Sequence, residues 1–187
     1  MKRCPWCEIN ELYIKYHDEE WGVPVHDDKK HFEFLILEGV QAGLSWLTIL
    51  KKRENYRKTY DNFDPVKIAK YDKKKINQLM KNPGIIKNLR KIEASINNAQ
   101  RFLEVQEEFG SFDSYIWNFV NDKPVINSWK KDSEIPSKTE LSDKISNDLK
   151  KRGFKFVGST TIYAHIQAIG LVNDHIVNCL RYNKLKS

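Results

Sequence analysis

"DDKKHFEFLILEGVQAGLSWLTILKKRENYRKTY", residues 27–60, decides the fold class. Apolar and small residues fall at 32, 35, 36 and 39, then at 46, 47, 49, 50 and 56, the spacing that gives a helix one face to bury. Gly43 and Ser45 interrupt the pattern, and a serine hydroxyl can accept the unsatisfied amides of a first turn. The stretch therefore predicts two helices broken at "AGLS" (42–45).

The same signals continue downstream. "FDPVKIA" (63–69) and "YDKKKINQLM" (71–80) each place an aspartate in cap position, with Pro65 in the first turn of the former. In "KNPGIIKNLRKIEASINNAQRFL" (81–103), Pro83 and Gly84 interrupt a helical pattern that resumes at once through 85, 86, 89, 92 and 96, which predicts a helix-hairpin-helix element near 73–100. "GSFDSYIWNFV" (110–120) is capped near Ser111, "SDKISNDLKKRG" (142–153) is ended by Gly153, and "GSTTIYAHIQAIG" (158–170) is opened by Ser159 and closed by Gly170. "KPVIN" (123–127) is the one strand candidate. The chain reads as all-α, about eight to ten helices in a single domain. Residues 121–139 form a long irregular connection.

The 187 residues carry 32 Lys+Arg against 25 Asp+Glu, a net charge of +7, which favours an acidic partner such as nucleic acid. A solvated lysine face has the same composition, so charge alone does not decide the matter. "MKRCPWCEIN" has no apolar segment after its basic residues, and no apolar run approaches bilayer length, so a cytoplasmic protein with no membrane partner is expected. With neither a heptad pattern nor an exposed apolar stretch, a monomer is expected. In a reducing compartment, three cysteines suggest ligands or plain thiols rather than disulfides.

In "VNDHIVNC" (172–179), His175 and Cys179 are four apart, one turn on a helix and half of a zinc site. "CPWCEINELYIKYHDEEWG" (4–22) offers Cys4, Cys7 and His17 for the rest, five candidates for four places. The alternative is a core histidine with incidental thiols. Four N and S donors argue for a closed, structural ion.

The hairpin "NPGIIKN" (82–88) offers Gly84 for close approach to a phosphate and a following helix N-terminus for an anion, with Lys81, Lys87, Arg90 and Lys91 around it. An ordinary helical corner reads the same way. A third group is Tyr13, Tyr16, Trp21, Glu38 and Trp46: a carboxylate beside a buried stripe, with aromatic residues in the same blocks. An unpaired buried acid is costly, and aromatic walls with one acid suit a flat cationic ligand such as a damaged purine. Core aromatics around a solvated helix end would be the plainer reading.

Together "LYIKYHDEEWGVP", "EGVQAGLSWLTILKKRENYRK", "FDPVKIA", "GIIKNLRKI" and "RGFKFVGSTTIYAHIQAIGLVNDH" closely resemble the 3-methyladenine DNA glycosylase I family, from Cys4 to about Cys179. The resemblance implies a two-lobed, all-α helix-hairpin-helix glycosylase that binds damaged duplex DNA. It implies a structural zinc ion joining the termini through Cys4, His17, His175 and Cys179, with Cys7 a bystander. It assigns Glu38 to the extruded base, Tyr16 and Trp46 to contact or stacking, Trp6 and Trp21 to the cavity wall, and Gly43 and Leu44 to the gap in the duplex. The expected reaction is hydrolysis of the N-glycosidic bond of 3-methyladenine, without lyase activity. Asp122 is a possible second acid, but no matching block assigns it that role.

Overall fold

The computed structural model describes residues 2–186. Among them are nine α-helices: α1 (Glu11–Glu19), α2 (Asp28–Gln41), α3 (Trp46–Thr59), α4 (Pro65–Ile68), α5 (Lys73–Lys81), α6 (Leu89–Phe109), α7 (Phe112–Trp117), α8 (Glu140–Lys151) and α9 (Ser159–Ala168). The caps fall where local chemistry puts them. Ser45 accepts from the Thr48 amide, Asp64 from Val66 and Lys67, Asp72 from Lys75 and Ser111 from Ser114. No described helix is long and apolar enough to cross a membrane.

α2 is the axis of the molecule. Residues 31–40 are all buried, rather than one stripe, because α3, α6, α7 and α9 pack around the helix. Phe32 meets Phe102 of α6 at 4.9 Å, and Phe102 stacks on Phe112 of α7 at 4.4 Å.

Three local expectations are corrected. Residues 172–179 are not a helix: Val172–Asn173 (β2) pairs in parallel with Val125–Ile126 (β1), and the chain then turns, the His175 amide donating to Asn173 Oδ1 at 3.2 Å. Helix α9 is capped by Gly158 rather than Ser159, whose hydroxyl instead meets that of Ser142 at 2.8 Å. Helix α6 starts at Leu89, four residues later than the apolar pattern suggests, because Ile85 is buried and the Ile86 amide donates to the Tyr56 hydroxyl inside the hairpin. Gly170 closes α9 at φ +72°, and a Cβ there would sit 2.5 Å from the backbone of residues 23–24, so only glycine permits the crossing.

His165 of α9 is fully buried, and neither ring nitrogen has a partner among the described residues. Burial, with His31 adding a smaller effect, pushes its pKa down from 6.5 to about 3. A depressed histidine stabilises the fold above its unfolded pKa, and the contribution is lost at about 1.4 kcal/mol per unit as pH falls from 6.5 toward 3. His165→Phe should flatten that acid limb in denaturant titrations run from pH 7 to pH 4. An unchanged slope would rule out His165 as its source.

Candidate active site and metal centre

Three acidic or basic side chains lie within the buried span of α2, and their partners differ. His31 Nε2 meets Asp113 at 3.0 Å, and Glu33 accepts from Arg53 at 2.7 Å and Arg57 at 2.9 Å. Glu38 has 4% of its surface exposed and no hydrogen-bond partner among the described residues; burial alone raises its pKa from 4.5 to about 8. Instead of a protein partner it faces a cavity of about 400 Å³.

Trp6, Tyr13, Tyr16, Trp21, Glu38 and Trp46 all line this cavity. Trp6, on a single 3-10 turn over Pro5–Cys7, sets its edge against Tyr13 at 5.6 Å and Trp21 at 5.0 Å. Tyr16 of α1 and Trp46 of α3 lie 5.5 Å apart, and the Tyr13 hydroxyl accepts from the Leu47 amide at 2.9 Å, which ties the start of α3 to α1. Burial, and then the charge of Glu38, raises the Tyr16 phenol well above its usual pKa of 10. Trp46 Nε1 is buried without an acceptor among the described residues. The site therefore holds the unpartnered carboxylate of Glu38, a second carboxylate from Asp132, unused ring N–H and O–H groups, and apolar faces, which suits a flat, polar-edged and preferably cationic ligand.

Sequence reasoning missed Gln41, Asp132 and Gln167, which line the same cavity. Asp132 comes from the irregular connection, accepts the Trp6 amide at 3.1 Å through Oδ2 and leaves Oδ1 buried and unpaired among the described residues. No periodicity marks such a residue. Asp122 is exposed and does not line the cavity.

Cys4, His17, His175 and Cys179 are all buried, with one donor atom from each lying within 4.8 Å of the others. Cys179 Sγ is 3.4 Å from both His17 Nε2 and His175 Nδ1, and Cys4 Sγ is 3.7 Å from His175 Nδ1. The edge of a tetrahedron with zinc–sulfur and zinc–nitrogen bonds is about 3.5 Å, so the set fits that ion. The outer nitrogens are held as ligand histidines require: His17 Nδ1 by Asp18 at 2.8 Å and His175 Nε2 by the Trp21 carbonyl at 3.0 Å. Cys7 stands apart, its thiol donating to the Cys4 carbonyl at 3.1 Å. The termini also meet through backbone, the Leu180 amide donating to the Lys2 carbonyl at 2.9 Å.

Gly43 has φ +81°, and a Cβ there would meet nothing within 4 Å, so the turn before α3 protrudes with half-buried Leu44 beside it. Lys91 braces the turn from α6, its ammonium donating to the carbonyls of Val40 and Ala42 at 2.7 Å each. The hairpin at 82–88 is turned inward. The Gly84 amide donates to Asn82, that of Ile86 to Tyr56, and a Cβ on Gly84 would strike Asn55 at 2.8 Å. Lys87 and Arg90 are exposed, and Arg90 shares an open groove with Lys155 and Phe156, from the connection between α8 and α9.

The sequence profile of the methyladenine glycosylase family matches residues 6–182. The chain is 50% identical over 182 residues to DNA-3-methyladenine glycosylase 1 of Escherichia coli (strain K12), covering 97% of each chain. It is 49% identical over 177 residues to the DNA-3-methyladenine glycosylase of Haemophilus influenzae, covering 95% of this chain and 96% of the relative. A crystal structure of a variant 3-methyladenine DNA glycosylase I in complex with 3-methyladenine superposes with a TM-score of 0.94 at 37% identity, covering 97% and 98% of the two chains.

Proposed function

Because the chain belongs to the methyladenine glycosylase family, we propose that it swings 3-methyladenine out of alkylated duplex DNA into the aromatic cavity and hydrolyses its N-glycosidic bond there. Membership makes the chain an enzyme, a hydrolase of N-glycosyl bonds acting on DNA. The observation that carries the substrate assignment is the unpartnered carboxylate of Glu38 in a cavity large enough for a base.

N3-methylation makes the base of the nucleotide cationic, so the leaving group needs no proton. Water adds to C1′, the C1′–N9 bond breaks, its electron pair neutralises the purine, and the water proton leaves to solvent. Glu38 supplies charge complementarity that neutral adenine cannot exploit. Tyr16, Trp46, Trp6 and Trp21 supply faces for the ring, and Tyr13 holds the α1–α3 wall in place. Unpairing the nucleotide costs a few kcal/mol, less for a poorly stacked lesion, which adds selectivity.

On the DNA side, Gly43 and Leu44 would fill the space the base vacates. Arg90 and Lys155 would meet phosphates along their shared groove, with Lys87 nearby. Helix α9 adds a first turn without a side-chain cap, where Gly158 is open on its Cβ side. Gly84 serves this surface by letting the hairpin pack on Asn55. Zinc is the ion the S₂N₂ set fits, and four protein donors close its coordination, so it holds the termini together.

No lysine lines the cavity among the described residues, so the reaction lacks an amine that could form a Schiff base with the sugar. Incubated with methylated duplex DNA, the protein should release free 3-methyladenine, and with abasic DNA and borohydride it should form no covalent adduct. Duplex binding without base release would reduce it to a DNA-binding module; a trapped adduct would make it a lyase. The exposed large apolar residues, among them Ile9, Val66 and Leu89, come from separate parts of the chain, which supports a monomer.

A further inference from the structure

Gln167 lines the cavity from the last turn of α9, and its side-chain amide is not free to turn. Its Nε2 donates to Asp174 Oδ2 at 2.8 Å, and Asp174 is 1% exposed. The same oxygen accepts the Tyr163 hydroxyl, while Oδ1 accepts Asn127 Nδ2 at 2.6 Å and Trp129 Nε1 at 2.7 Å. Four donors converge on one buried carboxylate, and no cation is among them. With its nitrogen held on Asp174 Oδ2, the Gln167 amide oxygen faces away from that carboxyl group.

We propose that Gln167 is a specificity-determining residue of the base pocket, presenting its side-chain oxygen to the exocyclic amine of the flipped purine, with Asp174 the positioning residue that fixes the amide's direction. This rests on the reading of the cavity as a base pocket. An adenine amine carries two N–H groups, and Glu38 and Gln167 are among the acceptors that line the cavity to receive them. Glu38 selects for charge; Gln167 selects for the donor. Gln41 shows the same pattern, Nε2 on the Leu44 carbonyl at 2.7 Å, but that tether belongs to the protruding turn, whereas Asp174 is locked on both oxygens.

Asp174→Asn separates positioning from packing. Trp129 can only donate, so the amide oxygen of the substituted side chain must stay on the Oδ1 side and its nitrogen must face Tyr163 and Gln167. Both can become acceptors, Gln167 by flipping, which turns its NH₂ into the cavity against the purine amine.

The test measures binding of two free bases, 3-methyladenine and 3-methylpurine, which lacks the amine, to wild type, Gln167→Met and Asp174→Asn. Wild type should prefer the amine-bearing base by about tenfold, and both variants should lose most of that preference, Glu38 still accepting one N–H, while holding 3-methylpurine within about twofold of the wild-type value. Equal weakening of both bases would make the pair a packing device, and a preference absent from wild type or intact in Gln167→Met would overturn the proposal. Gln167→Met decides alone if Asp174→Asn fails to fold. Should wild type bind neither base and release none from DNA, the base-pocket reading itself falls, an outcome distinct from binding that simply ignores residue 167.

Discussion

Glu38→Gln lowers kcat/KM for 3-methyladenine excision by about a hundredfold at pH 8 and above, and by progressively less toward pH 6. The substitution keeps shape and one acceptor but removes the charge, and with it both the charge-assisted bond, worth about 1.5–3 kcal/mol, and the Coulomb attraction to a cationic base in a partly dry pocket. The pH dependence follows from the buried site. The Glu38 pKa stands at about 8 in the free enzyme because no partner among the described residues offsets its desolvation, and kcat/KM reports free-enzyme ionisation. Wild-type kcat/KM should therefore climb about tenfold per unit below pH 8 and level off above it, whereas the Gln variant should be flat in this range. For kcat the rise should move to lower pH, because a bound cation favours the carboxylate.

The same substitution should make the protein more stable. A carboxyl whose folded pKa is raised keeps its proton between 4.5 and 8 while the unfolded chain gives it up, so wild type loses stability across that window as pH rises. At pH 7 the Gln variant should exceed wild type by on the order of 3 kcal/mol, the gap closing below pH 4.5. Activity and stability thus move in opposite directions, as expected for a residue held in place for its substrate. Equal activities at pH 8 and equal unfolding free energies at pH 7 would return Glu38 to the status of an ordinary helix residue.

What the sequence discloses about this site depends on how local the determinants are. Ser45, Asp64, Asp72 and Ser111 cap helices through amides two or three residues away, so a short window contains the whole interaction. The aromatic walls were legible for a related reason: Trp6, Tyr13, Tyr16 and Trp21 come from one stretch, and Glu38 and Trp46 from the next two helices. The parallel pairing of Val125–Ile126 with Val172–Asn173 joins two-residue strands far apart in sequence, and neither has enough period to announce itself. The all-round burial of α2 was hidden because Glu33 finds Arg53 and Arg57 one helix away, 20 and 24 residues on. Asp132 sits in irregular chain, and Gln167 matters through Asp174, a contact set by where β2 ends. His175 and Cys179 came together as their spacing suggested, but by a turn where a helix was expected.

Cys179→Ser should cut the bound metal below one equivalent per chain and lower stability by at least about 3 kcal/mol, or about 6–12 °C in melting temperature for a chain of this size. The cluster closes the chain on itself, with Cys4 and His175 171 residues apart, and its four donors are buried where unpaired polar groups are costly. Ser is a poorer ligand at the same position, so the loss reports coordination more than volume. Excision should respond in a particular way, because two pocket walls hang on ligands of the cluster. Trp6 follows Cys4 by two residues, while the Trp21 carbonyl meets His175 Nε2 and the Trp21 ring packs on that imidazole at 4.6 Å. Below the melting point the variant should therefore show a raised KM and weaker binding of free 3-methyladenine, with kcat changed by no more than about threefold. A chelated wild-type sample should reproduce both effects, and restoring zinc should reverse them. If kcat instead collapses while melting temperature and base affinity hold, the ion takes part in the chemistry and its assignment as a staple of the termini is wrong.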